Sequence, residues 1–212
     1  EVYVSESFLE KCSCREHLEE VGYEVVSDSV FSKISDTCTP QGVLCVLKQF
    51  HYNIEEMLRD KAPLFLLLEN IQDPGNLGTM LRTGEGAGVS GIIMSRDTVD
   101  LYNPKVIRST MGSIYRVPFY YAEDFAAAVH QVQQAGVSVY AAHLRGKNSY
   151  ACQDYTKGTA FLIGNEGNGL REETAELADC YIRIPMEGKV ESLNAAVASS
   201  ILMYEAHRQR AI

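Results

Sequence analysis

Short runs of β-branched and large apolar residues alternate with amphipathic stretches from one end of the chain to the other. Leu64–Leu68 is continuously apolar, as expected of a strand covered on both faces. The alternation predicts an α/β fold with a mainly parallel sheet. Ahead of that run the pattern predicts a strand at Val2–Val4, a helix over about Phe8–Glu20 and a strand at Tyr23–Val26. A short helix at Ser29–Ile34 and a strand at Val43–Leu47 follow, the latter behind the turn signal Thr39-Pro40-Gln41-Gly42. His51–Ala62 is polar and charged and reads as a linker with room for one helical turn. Beyond Leu68 come a helix over Leu77–Ala87 capped by Gly88, a strand at Gly91–Met94, and a helix start at Asn103-Pro104. Strands at Val117–Tyr121, Val137–Ala142, Thr159–Ile163 and Tyr181–Ile184 are predicted, with a helix at Phe125–Ala135. A last helix, Leu193–Arg208, would carry Leu193, Val197, Ile201 and Tyr204 on one face.

Composition adds little to this picture. An apolar fraction of 46% over 212 residues suits a globular protein with a real core. No apolar run is long enough for a membrane span, and no signal peptide is visible. The chain opens at Glu1 without a Met, so residues are expected to be missing from its front. Cys12, Cys14, Cys38, Cys45, Cys152 and Cys180 match no zinc spacing and read as free, mostly buried thiols in a reducing cytoplasm. Neither these nor the five histidines suggest a metal, and there is no nucleophile-elbow signature.

Charge counts against a simple basic nucleic-acid binder, because the net value is −9. Its distribution softens that objection. Residues 1–61 hold twelve acids and six bases, and the rest holds sixteen acids and thirteen bases. Between Arg96 and Arg116 four bases (Arg96, Lys105, Arg108, Arg116) face two acids (Asp97, Asp100). Local charge sets phosphate contacts, although on charge alone this cluster is equally a solvated face.

Three separated segments carry the candidate chemistry: Asn70–Thr83 (NIQDPGNLGTMLRT), Phe161–Arg171 (FLIGNEGNGLR) and Ile184–Val197 (IPMEGKVESLNAAV). Each lies where an apolar strand hands over to a loop or helix, which is where open α/β sheets bind ligands. In the first, Arg82 could hold a phosphate bidentately, or be an ordinary surface Arg. Gly84, Gly86 and Gly88 fall at the end of the helix, the wrong order for a dinucleotide fingerprint. In the second, three glycines around Glu166 allow close approach of a ligand to the backbone, and alone they are equally a tight turn. In the third, Ser192 serves as a reasonable N-cap of the last helix, whereas Asn194, inside the first turn, is harder to explain as structure.

Together the three segments resemble the sequence motifs of the SpoU (TrmH) family of RNA ribose 2′-O-methyltransferases, of the SPOUT class. The resemblance runs from about Leu64 to Arg208, and Tyr102–Met111 is similar to the family's stretch between the first two motifs. It implies a trefoil-knotted, mainly parallel sheet flanked by helices over residues 63–212. A partial ribosomal-protein-like α/β substrate-binding domain would occupy residues 1–48, with a linker over 49–62 and the front of that domain absent. It implies S-adenosylmethionine bound near Gly164, Ile184, Met186 and Leu193, and a cytoplasmic homodimer with sites near the subunit interface, without metal or membrane. Asn76, Arg82, Glu166, Ser192 and Asn194 match the family's catalytic positions, with Arg82 central. Arg82, Lys105 and Arg108 would contact RNA. The reaction expected is methyl transfer to a ribose 2′-hydroxyl, with ribosomal RNA placed ahead of transfer RNA because of the N-terminal segment. A non-catalytic RNA binder that kept the fold, and a knotted methyltransferase acting on a base nitrogen, stand as the alternatives.

Overall fold

The computed structural model describes residues 1–13, 15–190 and 192–211. The chain forms two compact units, Glu1–Phe50 and His51–Ile212.

In the first unit, β1 (Val2–Ser5) is the centre of a sheet ordered β2-β1-β3, parallel to β2 (Glu24–Val26) and antiparallel to β3 (Val43–Cys45). The single helix expected over 8–20 is two, α1 (Glu6–Lys11) and α2 (Arg15–Val21). Ser5 starts α1 early by accepting from Phe8 N–H, and the backbone turns extended at Cys12. Cys and Ser are poor helix formers, and no tertiary burial on either helix overrides them. Helix α3 (Asp28–Ile34) is capped by Ser27 and buries Phe31. Gly42 at φ +93° needs to be glycine, since a Cβ there would lie 2.5 Å from Phe8 Cβ. Strand β3 is shorter than expected, leaving Val46 and Leu47 exposed. The thiols are free but not buried: Cys38, Cys45 and Cys152 are exposed and Cys12 and Cys180 partly so, since Cys45 lies on an edge strand, Cys12, Cys38 and Cys152 in loops and short turns, and Cys180 at the start of β10. Cys14 lies outside the described residues.

The second unit is a sheet of seven strands among the described residues, ordered β6-β5-β4-β9-β7-β10-β8 with every pairing parallel. Its elements in chain order begin with α4 (Ile54–Met57), β4 (Leu64–Leu68), α5 (Pro74–Ala87), β5 (Gly91–Ser95) and α6 (Pro104–Thr110). They continue with β6 (Phe119–Ala122), α7 (Phe125–Gln134), β7 (Ser138–Ala142) and β8 (Asn148–Ser149). The last are β9 (Thr159–Ile163), α8 (Glu172–Ala175), β10 (Cys180–Arg183) and α9 (Ala195–Arg210). Helix α4 is the single turn allowed for in residues 51–62, and it buries Ile54 and Met57 in this unit's core.

Strand β4 shows why the sheet has helices on both faces. Leu64, Leu66 and Leu68 pack with Leu77, Met80 and Leu81 of α5 and Leu202 and Met203 of α9. Phe65 and Leu67 face the opposite way, into a cluster with Val129 and Val132 of α7. Each such side chain contributes about 1.5–3 kcal/mol of burial.

Helix α9 corrects the sequence reading. Its core face is Ala195, Ala196, Ser199, Leu202, Met203 and Ala206, while Val197 and Tyr204 of the expected apolar face are 48% and 49% exposed. These mostly small residues pack on α5, where a Cβ at Gly84 would make ordinary contact with Met203 Sδ at 3.7 Å. A reading by size assigned the buried face to the larger side chains. At its C-terminal end, half-buried Arg210 donates to the carbonyls of Ala62, Pro63, Tyr155 and Lys157, tying the helix to the segments ahead of β4 and β9.

Candidate active site

Strand β9 lies between β4 and β7, although it follows both in the chain. The carboxyl ends of β4, β9, β7 and β10 therefore sit side by side, and their loops build one site at the place where the strand order switches.

The loop after β4 is held in a specific form. Asn70 takes a left-handed conformation at φ +53°, donates its N–H to Ser95 Oγ at 2.8 Å, and accepts at its own carbonyl from Asn165 Nδ2 at 2.8 Å. Asn is among the residues that tolerate that region. Asp73 then caps α5 by accepting from Asn76 N–H at 2.7 Å, with Pro74 at the first helical position. Gly78 lets α5 meet α6, for a Cβ there would fall 1.7 Å from Ser109 Oγ.

The loop after β9 folds back on itself through a bridge between Asn165 and Gly169. Gly164 is required for that fold, since a Cβ would lie 2.2 Å from the backbone of Gly169 and Leu170. The space opened by this glycine is thus filled by the loop itself. Asn165 Oδ1 accepts from the N–H groups of Gly167 and Asn168. The Glu166 carboxylate reaches the neighbouring loop: Oε2 accepts from Gln72 N–H at 3.1 Å, and Oε1 from Asp73 N–H and Asn76 Nδ2, both at 3.0 Å. Burial pushes the Glu166 carboxyl up, but the Asn76, Asp73 and Gln72 donors outweigh it and hold the group below its ordinary value.

Asn194 continues this chain of bonds. Its Nδ2 donates to Asn76 Oδ1 at 3.0 Å, while its Oδ1 accepts from Ala196 N–H at 2.9 Å and Val197 N–H at 3.2 Å. Asn194, not Ser192, is the N-cap of α9. Every amide orientation is forced. An ionised Glu166 only accepts, so Asn76 presents its NH₂ to it; Asn76 Oδ1 then faces Asn194, whose own oxygen faces the helix N–H groups.

Beside this network lies a cavity of about 260 Å³ walled by the loops after β7, β9 and β10. Gly164, Glu166, Ile184, Met186, Ser192 and Leu193 all line it. A shallower polar recess is formed by Gln72, Asp73, Pro74, Asn76 and Asn194, and it shares Asn165, Glu166 and Gly167 with the cavity. The apolar cavity can take a flat ring among aliphatic side chains, with backbone groups for its polar ends. His143, Leu144, Asn165 and Arg183 also line the cavity and were not singled out in the sequence. Their position at or just beyond the carboxyl ends of β7, β9 and β10 was the available signal, which only the strand order makes usable.

Arg82 stands apart from the other four candidates. It is exposed on α5, on the face shared with Gly78 and Glu85, and lines neither cavity nor recess. Lys105 and Arg108 are exposed on α6, which packs against that face of α5. Among the described residues none of the three has an ion-pair partner, whereas Arg96 is paired with Glu123 and Arg116 with Glu85. The sequence cluster of four bases is thereby reduced to Lys105 and Arg108, joined by Arg82 from the neighbouring helix. Among the described residues no group of three or more His, Cys, Asp or Glu is placed to hold a metal ion, and no helix is long and apolar enough to cross a membrane.

Comparison with known proteins supplies the family. The chain is 35% identical over 180 residues to the 23S rRNA (guanosine(2553)-2′-O)-methyltransferase RlmP of Bacillus subtilis, covering 85% of this chain and 70% of that protein. It is 33% identical over 183 residues to the 23S rRNA (guanosine-2′-O-)-methyltransferase RlmB of Ralstonia nicotianae, covering 84% and 74%. The solved structure of the SpoU methyltransferase AviRb from Streptomyces viridochromogenes in complex with the cofactor AdoMet superposes with a TM-score of 0.87 at 27% identity, over 99% of this chain and 82% of that one. The model of the SpoU rRNA Methylase family matches residues 63–204, and the chain belongs to that family.

Proposed function

We propose that this protein transfers a methyl group from S-adenosylmethionine to a ribose 2′-hydroxyl of RNA, with ribosomal RNA as the substrate. The observation that carries this reading is the meeting of an apolar cavity and a polar recess at Glu166, which sets a donor site against an acceptor site. The cavity suits the cofactor. Its volume approaches the roughly 300 Å³ at which small-molecule pockets begin. Ile184, Met186 and Leu193 offer aliphatic walls for an adenine, and the folded-back loop from Gly164 offers backbone donors and acceptors. When bound, S-adenosylmethionine supplies an electrophilic methyl carbon.

The chain's own residues hold the acceptor and manage its proton. Alignment of two bound groups can supply much of the acceleration. Asn76 and Asn194, fixed by Glu166, orient the ribose in the recess. Both Glu166 oxygens are already occupied by three donors, so this carboxylate organises the site and is not the base. Ser192, on the cavity wall, holds a polar group of either substrate. Arg82 binds the adjacent phosphate and polarises the hydroxyl, keeping its own proton. Lys105 and Arg108 extend the phosphate track.

The same reading includes a homodimer. The exposed stripe of α9, with Val197 and Tyr204 half-exposed, supports it as the contact face. With sites near the subunit interface, an Arg82 that lines neither recess of its own copy serves the site of the second. The reading also includes a trefoil knot around the loops after β7, β9 and β10, an RNA-binding role for residues 1–48 as part of a substrate domain, and a cytoplasmic location. Calorimetric titration with S-adenosylmethionine and S-adenosylhomocysteine, followed by digestion of methylated RNA to nucleosides, tests the function. Micromolar binding and 2′-O-methylated nucleosides are expected. A folded protein that binds neither compound would overturn it, and base-methylated products would replace it with the base-nitrogen reaction.

A further inference from the structure

His143 is the first residue after β7, at the carboxyl end where that strand opens into the cavity. Its ring lines the cavity and also packs on Tyr181, with ring centroids 5.1 Å apart. Its Nδ1 accepts from the Arg145 N–H at 3.1 Å, closing a turn of the kind that Asn and Asp side chains make with the backbone two residues on. The Gly146 N–H donates to the His143 carbonyl at 2.9 Å. Gly146 is pressed so closely on β10 that a Cβ there would lie 2.8 Å from the Ile182 carbonyl carbon. The loop over residues 143–146 thus has little freedom, and the imidazole is one of its fastenings.

A backbone N–H only donates, so Nδ1 in this turn carries no proton and the neutral ring holds its proton on Nε2. A second proton would set N–H against N–H, and the turn would open. The groups acting on the ring are Arg145 on its own loop, Glu172 on α8 and Tyr181 on β10, with the charged side chains Glu166 and Arg183 lining the same cavity. Burial and the Arg145 charge hold the His143 pKa below its ordinary value, with Glu172 acting the other way while paired to Arg145.

We propose that His143 is a positioning residue of the cofactor cavity, holding the β7 loop in its ligand-binding form only while the imidazole is neutral. This rests on the cavity being the S-adenosylmethionine site. The affinity is then full where His143 is neutral and falls as the pH drops through its folded-state value, which burial and Arg145 hold below the ordinary one. Glu166, already held low, stays ionised across that window.

The test uses S-adenosylhomocysteine, which lacks the positive charge on sulfur and so removes the sulfonium's repulsion from the readout, its amino-acid charges staying constant across the range. Calorimetric affinities of the full chain should weaken about fivefold between about pH 8 and about pH 5.5. The variant His143→Asn keeps an acceptor for the Arg145 N–H but does not titrate, so its affinity should be flat with pH. The variant His143→Leu should bind more weakly than His143→Asn at every pH. The ¹⁵N–¹H signal of Arg145 in the ligand-free parent should shift along the same curve. A flat parental profile, or a His143→Asn profile with the parental slope, would overturn the proposal. Absence of binding at about pH 8 by parent and variants alike, all folded, would instead overturn the cofactor reading and this proposal with it.

Discussion

Asn194 donates from its side-chain amide to the side-chain oxygen of Asn76, 3.0 Å away and 118 positions earlier in the chain. The same Asn194 caps α9 with its other side-chain atom. One residue therefore both starts the last helix and orients the polar recess, and two substitutions separate the roles. Asn194→Asp keeps the capping oxygen but turns a carboxylate toward Asn76 Oδ1; thermal midpoint should hold while methyl transfer falls at least about tenfold. Asn194→Ala loses cap and link together, with a further loss of about 1 kcal/mol in stability by denaturant titration.

Glu166 makes a pH prediction. Its folded-state value is held below the ordinary carboxylate value, so its ionised form adds stability above that ordinary range and loses it as pH falls through the folded value. Glu166→Gln places an NH₂ where one of three N–H donors already points, and should cost about 1–3 kcal/mol at neutral pH. The gap between parent and variant should shrink on acidification, and a gap that grows would show the carboxylate to be a cost to the fold.

Gly164→Ala drives a methyl into the backbone of Gly169 and Leu170, which cannot turn away as a side chain can. The loop must shift, at about 1–3 kcal/mol, and S-adenosylhomocysteine binding should weaken at least about tenfold. Retained affinity in a crystal structure with an unmoved loop would contradict this geometry.

The exposed cations should divide by role. Arg82→Ala, with no ion pair to lose among the described residues, should fold and bind cofactor as the parent does while methyl transfer drops about a hundredfold. Lys105→Ala and Arg108→Ala should each weaken RNA binding across sequences and lower the slope of log affinity against log salt by about one.

Val197→Glu puts a charge in the half-exposed stripe of α9 without touching the core face. If the parent is the proposed dimer, light scattering should then report a monomer, and methyl transfer should fail if Arg82 acts across the interface. A parent that is itself monomeric would remove the dimer from this account.

Several features were legible in the residues alone because they depend on local patterning. Leu64–Leu68, Thr159–Ile163 and Phe125–Gln134 announce themselves through unbroken or periodic apolar character, and Gly88 through the left-handed cap it supplies at φ +76°. The motifs around Asn76, Glu166 and Asn194 were sufficient for the family, which the match over residues 63–204 shows independently. The break at Cys12 was readable in principle, as a run of weak helix formers that α1 and α2 do not bury.

Other features were decided only by contacts distant in sequence. Ser192 reads as the cap and Asn194 as an unexplained polar residue in the sequence, because capping depends on where the chain turns into the helix; the structure puts that turn at Asn194, which also donates to Asn76. The buried face of α9 went to mostly small residues packed on α5, and side-chain size could not foretell that. His143 has no motif of its own; it becomes part of the cavity because β9 inserts between β4 and β7 and brings four strand ends together. Apolar periodicity and turn chemistry act within a few residues, so the chain alone determined its strands except the two-residue β8, most of its helices but not the single turn α8, and its family. Pairing order and side-chain reach act between residues a hundred positions apart, so only the folded structure determined which polar groups meet, which basic residues form ion pairs, and where the cavity opens.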